Sequence, residues 1–110
     1  MTREEFMEIM KIIRERRQII ENIKKALEEM DTMLNSIVIL GIGNLRTEHI
    51  EVLKKNITNL DNLDEMTNKL IEVEFDSSVR FELKTIKERL ALQKEKVTQI
   101  TNYYDSEFAI

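Results

Sequence analysis

The sequence predicts an all-α fold: an antiparallel three-helix bundle running up-down-up, with a long coiled-coil-like first helix. Three observations predict it. The chain has no Pro and only two glycines, Gly41 and Gly43, so turn chemistry is scarce and long helices are favoured over a many-turned β fold. Apolar residues make up 42% and charged residues 35%, proportions that suit amphipathic helices and leave enough apolar material for a core. The apolar residues also recur at alternating steps of three and four, the period of one helix face. With 110 residues, the chain is expected to form a single helical domain over 1–110.

The first helix is expected over about 3–40. Thr2 followed by Glu5 has capping-box spacing. From there a seam runs Phe6, Ile9, Ile13, Arg16, Ile20, Ile23, Leu27, Met30, Leu34, Ile37, apolar at every position except Arg16. Gly41 and Gly43 end it.

The second helix is expected over about 47–75, with Asn44 or Thr47 as its cap and Glu48 and Glu51 at the positive end of its dipole. Its seam reads Ile50, Leu53, Ile57, Leu60, and then tightens to Leu63, Met66, Leu70, Val73. That tightening is a stammer-type slip, so a continuous but bent helix is expected, with a break near Asn62 as the alternative. Asp76, Ser77 and Ser78 are cap candidates for a third helix over about 78–104. Its seam is Leu83, Ile86, Leu90, Gln93, Val97, Ile100, Tyr104, and the tail DSEFAI is expected to fray.

Short connections place sequential helices antiparallel. In that register the first helix outruns the other two, leaving Phe6, Met7, Ile9, Met10 and Ile12 beyond their ends. A second apolar cluster, Ile37-Val38-Ile39-Leu40 and Ile42, is oily on successive positions and so faces more than one side. A single copy lacks the surface to shelter both, so a dimer is expected, with Phe6, Met7, Ile9, Met10, Ile13, Ile37, Ile39, Leu40 and Ile42 as its interface.

Composition narrows the function. Without Cys there are no disulfides, thiolate nucleophiles or cysteine metal sites, and an intracellular, cytoplasmic location is expected. The lone His49 has no histidine or cysteine partner for a metal, and no calcium loop or E-x-x-H pattern accompanies the carboxylates. No metal and no cofactor are expected. The net charge of −4 gives no basic patch for nucleic acid, and no apolar run approaches the ~20 residues of a membrane span. Neither nucleic acid nor membrane is expected as a partner.

Arg16 is an arginine in an apolar seam. It reads as a polar seam layer reaching Glu72, Glu74 or solvent, with Gln93 as a second such layer at another level. The rival reading is an anion site built from Arg14, Arg16 and Arg17. Glu15-Arg16-Arg17, within a long first helix, resembles the corresponding stretch of the helical chorismate mutases. That resemblance covers about a tenth of the chain and implies an arginine-lined dicarboxylate site, with Lys24, Arg46 and Gln93 matching by residue type. A third reading takes residues 48–78, where eight acids outnumber three bases, as an acidic nucleic-acid mimic. The leading expectation is a non-enzymatic protein–protein interaction module (an assembly or export chaperone, adaptor or inhibitor) that forms a homodimer and binds another protein through apolar helix faces.

Overall fold

The computed structural model describes residues 1–108; the side chains of Ile42 and Phe108 and all of Ala109 and Ile110 lie outside that description. Three helices account for nearly all of it: α1 (Arg3–Leu40), α2 (Thr47–Val73) and α3 (Ser77–Phe108), with one 3₁₀ turn, Ile42–Asn44, between the first two. The described residues contain no strand.

The start of α1 is fixed by Thr2, whose Oγ1 accepts from the Glu5 N–H at 3.1 Å. It stops at Gly41, which takes φ +86°, a region that strains any residue with a Cβ. The Gly41 N–H donates to the Ile37 carbonyl at 2.9 Å, and Asn44 Nδ2 donates to the Leu40 carbonyl at 2.8 Å. Two of the last carbonyls of α1 are thereby satisfied.

The cap of α2 differs from the expected Asn44 or Thr47. Arg46 is the extended N-cap residue, and its N–H donates to Nδ1 of His49 at 3.0 Å. An imidazole three residues into the helix thus does the reciprocal work that Glu does in a capping box.

As expected, α2 is continuous, and the alternative of a break near Asn62 is not taken. Past Leu60 its buried residues are Thr67 and Leu70, while Met66 and Val73 of the expected seam are exposed. A straight helix drifts relative to a strict heptad, and the core face follows that drift. Thr67 fits the core because its hydroxyl donates back to the Leu63 carbonyl at 2.7 Å.

The second helix ends two residues before the expected Phe75. The third begins at Ser77, one residue early, where Oδ1 of Asp76 accepts from the Ser78 N–H at 2.8 Å, the Ser78 hydroxyl at 2.6 Å and the Val79 N–H at 3.3 Å. These bonds hold the Asp76 carboxyl below its usual range. The expected end at residue 104 is passed: DSEF continues the helix to Phe108.

Polar contacts between helices record how they lie. Arg17 meets Glu82, and Asp31 meets Arg89 and Gln93, so rising numbers in α1 match rising numbers in α3. Lys54 meets Asp105, Asp61 meets Lys94 and Asn68 meets Lys87, so rising numbers in α2 match falling ones in α3. The result is a rod of 65 × 22 × 18 Å. Its core is one cluster running from Ile20 to Ile37 on α1, Leu45 in the turn, Ile50 to Leu70 on α2 and Leu83 to Val97 on α3. No residue of α1 before Ile20 belongs to it.

Candidate functional site: two exposed apolar poles

The first pole lies at the start of α1. Phe6, Met7, Ile9, Met10, Ile12 and Ile13 are all exposed, Phe6 and Ile13 at 52%. Their spacing is that of the core-facing seam further along the same helix, yet α2 and α3 end level with Ile13 and Arg16. There a cleft of about 520 Å³ is lined by Ile9, Ile12, Ile13, Arg16, Glu74, Phe75, Asp76 and Val79. Phe75 stands 96% exposed at its rim, and Phe81 is exposed as well. Isolated exposed apolar residues are ordinary on a protein surface, but a contiguous patch of large ones is the mark of a contact site.

The second pole lies at the other end of α1. Val38 and Ile39 are the most exposed there, Ile39 at 87%, with Leu40 and Val52 also in solvent. A small cleft of about 200 Å³ runs beneath, lined by Met33, Ser36, Ile37, Leu40, Leu45, His49, Val52 and Leu53. Ile37 points inward, 7% exposed within the chain's own core, because it continues the alternating steps of four and three through Met30 and Leu34. It therefore leaves the expected interface, whereas Ile39 and Leu40 remain on the surface. Ile42, also expected there, has its side chain outside the described residues.

The arginines at the base of the first pole divide their work. Arg16 is half-buried and its Nη1 donates to the Val73 carbonyl at 3.4 Å; Glu72, its expected partner, is exposed on the outer side of α2. A free carbonyl at a helix C-terminus carries the negative end of the dipole, which explains the choice. Arg80 treats the next carbonyl, that of Glu74, in the same way at 3.5 Å.

Arg17 turns to the other side. Its guanidinium donates through both terminal nitrogens to Glu82, each at 2.9 Å, and reaches Glu21 at 2.5 Å. Lys24 also pairs with Glu82. Between these two cations the Glu82 carboxyl falls from 4.5 to about 2, chiefly through its bonds to Arg17 and then to Lys24. The Arg17 guanidinium is pushed up in turn, first by Glu82 and then by Glu21. Arg14 donates back to the Met10 carbonyl of its own helix at 3.4 Å. Arg14, Arg16 and Arg17 thus point to separate acceptors and converge on no common one.

Comparison of the chain with protein-family models, with curated proteins and with solved structures finds no match.

Gln93 is the polar position that lies inside. It is 3% exposed, and its Nε2 donates to the Leu27 carbonyl at 3.0 Å and to Asp31 Oδ1 at 2.7 Å. Arg89 holds the other oxygen of Asp31 at 2.9 Å. Gln93 Oε1 is buried with no partner. This network lies level with Leu27 and Asp31, far along α1 from Arg16, so Arg16, Glu72 and Gln93 form no single layer. Asp31, which anchors it, escapes sequence reading because it sits one position beside the seam residue Met30 and resembles any solvated acid. Among the described residues there is no group of three potential metal ligands, and no described helix is long and apolar enough to cross a membrane.

Proposed function

We propose that this chain is a non-enzymatic protein–protein interaction module. In this reading an up-down-up bundle self-associates as a dimer and presents an apolar helix face to another protein, in the manner of assembly chaperones, adaptors and inhibitors. One observation carries the reading: six large apolar side chains between Phe6 and Ile13 stand in solvent with helix-face spacing. Burying each is worth ~1.5–3 kcal/mol, a gain that the chain's own fold leaves unused. Helix-in-groove recognition uses anchors at i, i+3, i+4 and i+7, and Phe6, Ile9, Met10 and Ile13 supply them. The arrangement of the arginines supports the same reading, since each is engaged by a carbonyl or a carboxylate and none is aimed at a shared ligand.

The test is the mass in solution. Sedimentation equilibrium at high micromolar concentration is expected to give a dimer, and Ile9→Asp or Met10→Glu to shift it toward monomer. A strictly monomeric parent chain would remove the reading. An unchanged mass for both variants would move the interface to Val38–Leu40.

A further inference from the structure

The seam of α1 runs further than the bundle that receives it, so apolar spacing alone leaves more than one register open. The buried places on α1 are those of Ile20, Ile23, Leu27, Met30, Leu34 and Ile37. A shift of seven residues is a slide of about 10 Å along the axis with little change of face. Sliding α1 by seven residues toward its own C-terminus brings Ile13, Arg16, Ile20, Ile23, Leu27 and Met30 to those places. All of them but Arg16 are apolar, and Phe6 and Ile9 move up to the levels now held by Ile13 and Arg16. The connection over residues 41–46, extended at ~3.3 Å per residue, has the reach to return over that distance. The opposite slide is closed, because it sets Gly41 and Asn44 in the places of Leu34 and Ile37.

We propose that Arg16 locks α1 in its observed register and so keeps the apolar face over residues 6–13 outside the bundle. In the slid register Arg16 takes the place of Ile23, which is 0% exposed within the core cluster. A guanidinium buried among apolar side chains loses its hydration without gaining a partner. In the observed register Arg16 is half-buried at the end of the bundle, where Nη1 donates to the Val73 carbonyl at 3.4 Å. That carbonyl is open to it because α2 ends at Val73. A second contact acts in the same sense. Asp31 accepts from Arg89 at 2.9 Å and from Gln93 at 2.7 Å, and the slide replaces it with Lys24, a cation facing Arg89. The Glu82 contact is less discriminating, since Arg17 then takes the place of Lys24. A single polar residue in an apolar seam fixes register in coiled coils; here it also decides which part of the seam is buried. The lock acts within one chain and is independent of self-association.

Spin-label distances read the register. The chain has no Cys, so Gln18→Cys and Asn102→Cys, both at exposed positions, carry the only labels, and dilution with unlabelled chain removes distances between copies. The slide shortens the distance between these two positions by about 10 Å. Exchanging charges through Lys24→Asp with Asp31→Lys moves the acid seven residues toward the start of α1, so that charge favours the slid register. With Arg16 kept, the exchanged chain is expected to hold the parent distance. With Arg16→Leu added, the distance is expected to fall by about 10 Å. No shortening in that triple variant, or the same shortening while Arg16 is kept, would overturn the lock. Circular dichroism checks that each variant is folded. Where the exchanged chains fail to fold, Arg16→Leu alone is expected to add a shorter distance to the parent one, and Arg16→Lys to show the parent distance only. A single parent distance for Arg16→Leu would then refute the lock.

Discussion

Glu82→Gln removes the central acceptor of an ionic network that ties α1 to α3. Glu82 accepts both terminal nitrogens of Arg17 at 2.9 Å and also pairs with Lys24. Its carboxyl is held at about 2 instead of 4.5, which sets a ceiling of ~3 kcal/mol on what ionisation of this group adds to stability. The ceiling is not reached. Arg17 and Lys24 keep 44% and 34% of their side-chain surface in water, so solvent screens the attraction and side-chain entropy opposes it; ~1 kcal/mol is the expected size. The sign follows from linkage. A carboxyl whose value is depressed by folding stabilises the fold above pH 4.5, and that stabilisation is lost as the pH falls toward about 2. Urea titrations followed by circular dichroism at pH 7, 4 and 2.5 check this at a fixed concentration in low salt. The parent chain is expected to exceed Glu82→Gln by ~1 kcal/mol at pH 7, with the gap closing at the lowest pH and narrowing in high salt. A gap undiminished at pH 2.5, or none at pH 7, would refute the assignment of this network as an ionic clamp.

Two further outcomes concern the interior. Leu83→Ala removes a side chain that is 0% exposed at the centre of the cluster, and is expected to cost ~2–5 kcal/mol in a urea titration. Gln93→Met is expected to be neutral, or to stabilise by up to ~1 kcal/mol: the buried Oε1 has no partner to lose, Asp31 keeps Arg89, and methionine fills a similar volume. A loss above ~2 kcal/mol in the same titration would mean that the glutamine is anchored more firmly than its bonds indicate.

Helix positions were legible because their signals are local. Thr2 and Glu5 mark the start of α1, Gly41 marks its end, and the steps of three and four from Ile20 to Ile37 give its buried face. The third helix follows its seam closely, with Leu83, Ile86, Leu90, Gln93 and Val97 all buried. The misreadings occur where the deciding partner is distant or the signal ambiguous. The shift from Met66 to Thr67 in α2 needs the direction of the neighbouring helices, since threonine looks polar in a sequence and turns apolar only when its hydroxyl bonds to Leu63. The choice of Val73 by Arg16 depends on where α2 ends, which Met66 to Phe75 leave open by two residues. His49 is exposed, and its capping bond to the Arg46 N–H depends on backbone geometry that the sequence does not display. The exposed pole was legible for a different reason: it follows from helix lengths alone, because a helix over 3–40 is longer than the two that accompany it.

Arg16 and Arg17 mark where the accompanied part of α1 begins. The seam is buried from Ile20 to Ile37; before Arg16 the same seam is exposed, with Ile9 and Ile13 only lining the open cleft beside Phe75 and Val79. A sequence shaped only by folding of this chain has no reason to continue the apolar pattern past that boundary, since Phe6 and Ile9 contribute nothing to the cluster that starts at Ile20. Polar residues there would keep the helix equally well, because helix propensity does not require an apolar face. The pattern nevertheless runs on through Ile13, Ile9 and Phe6 without a change of phase. A surface built on the spacing of a helix seam, yet idle within its own chain, is the feature that supports the proposed helix-in-groove contact.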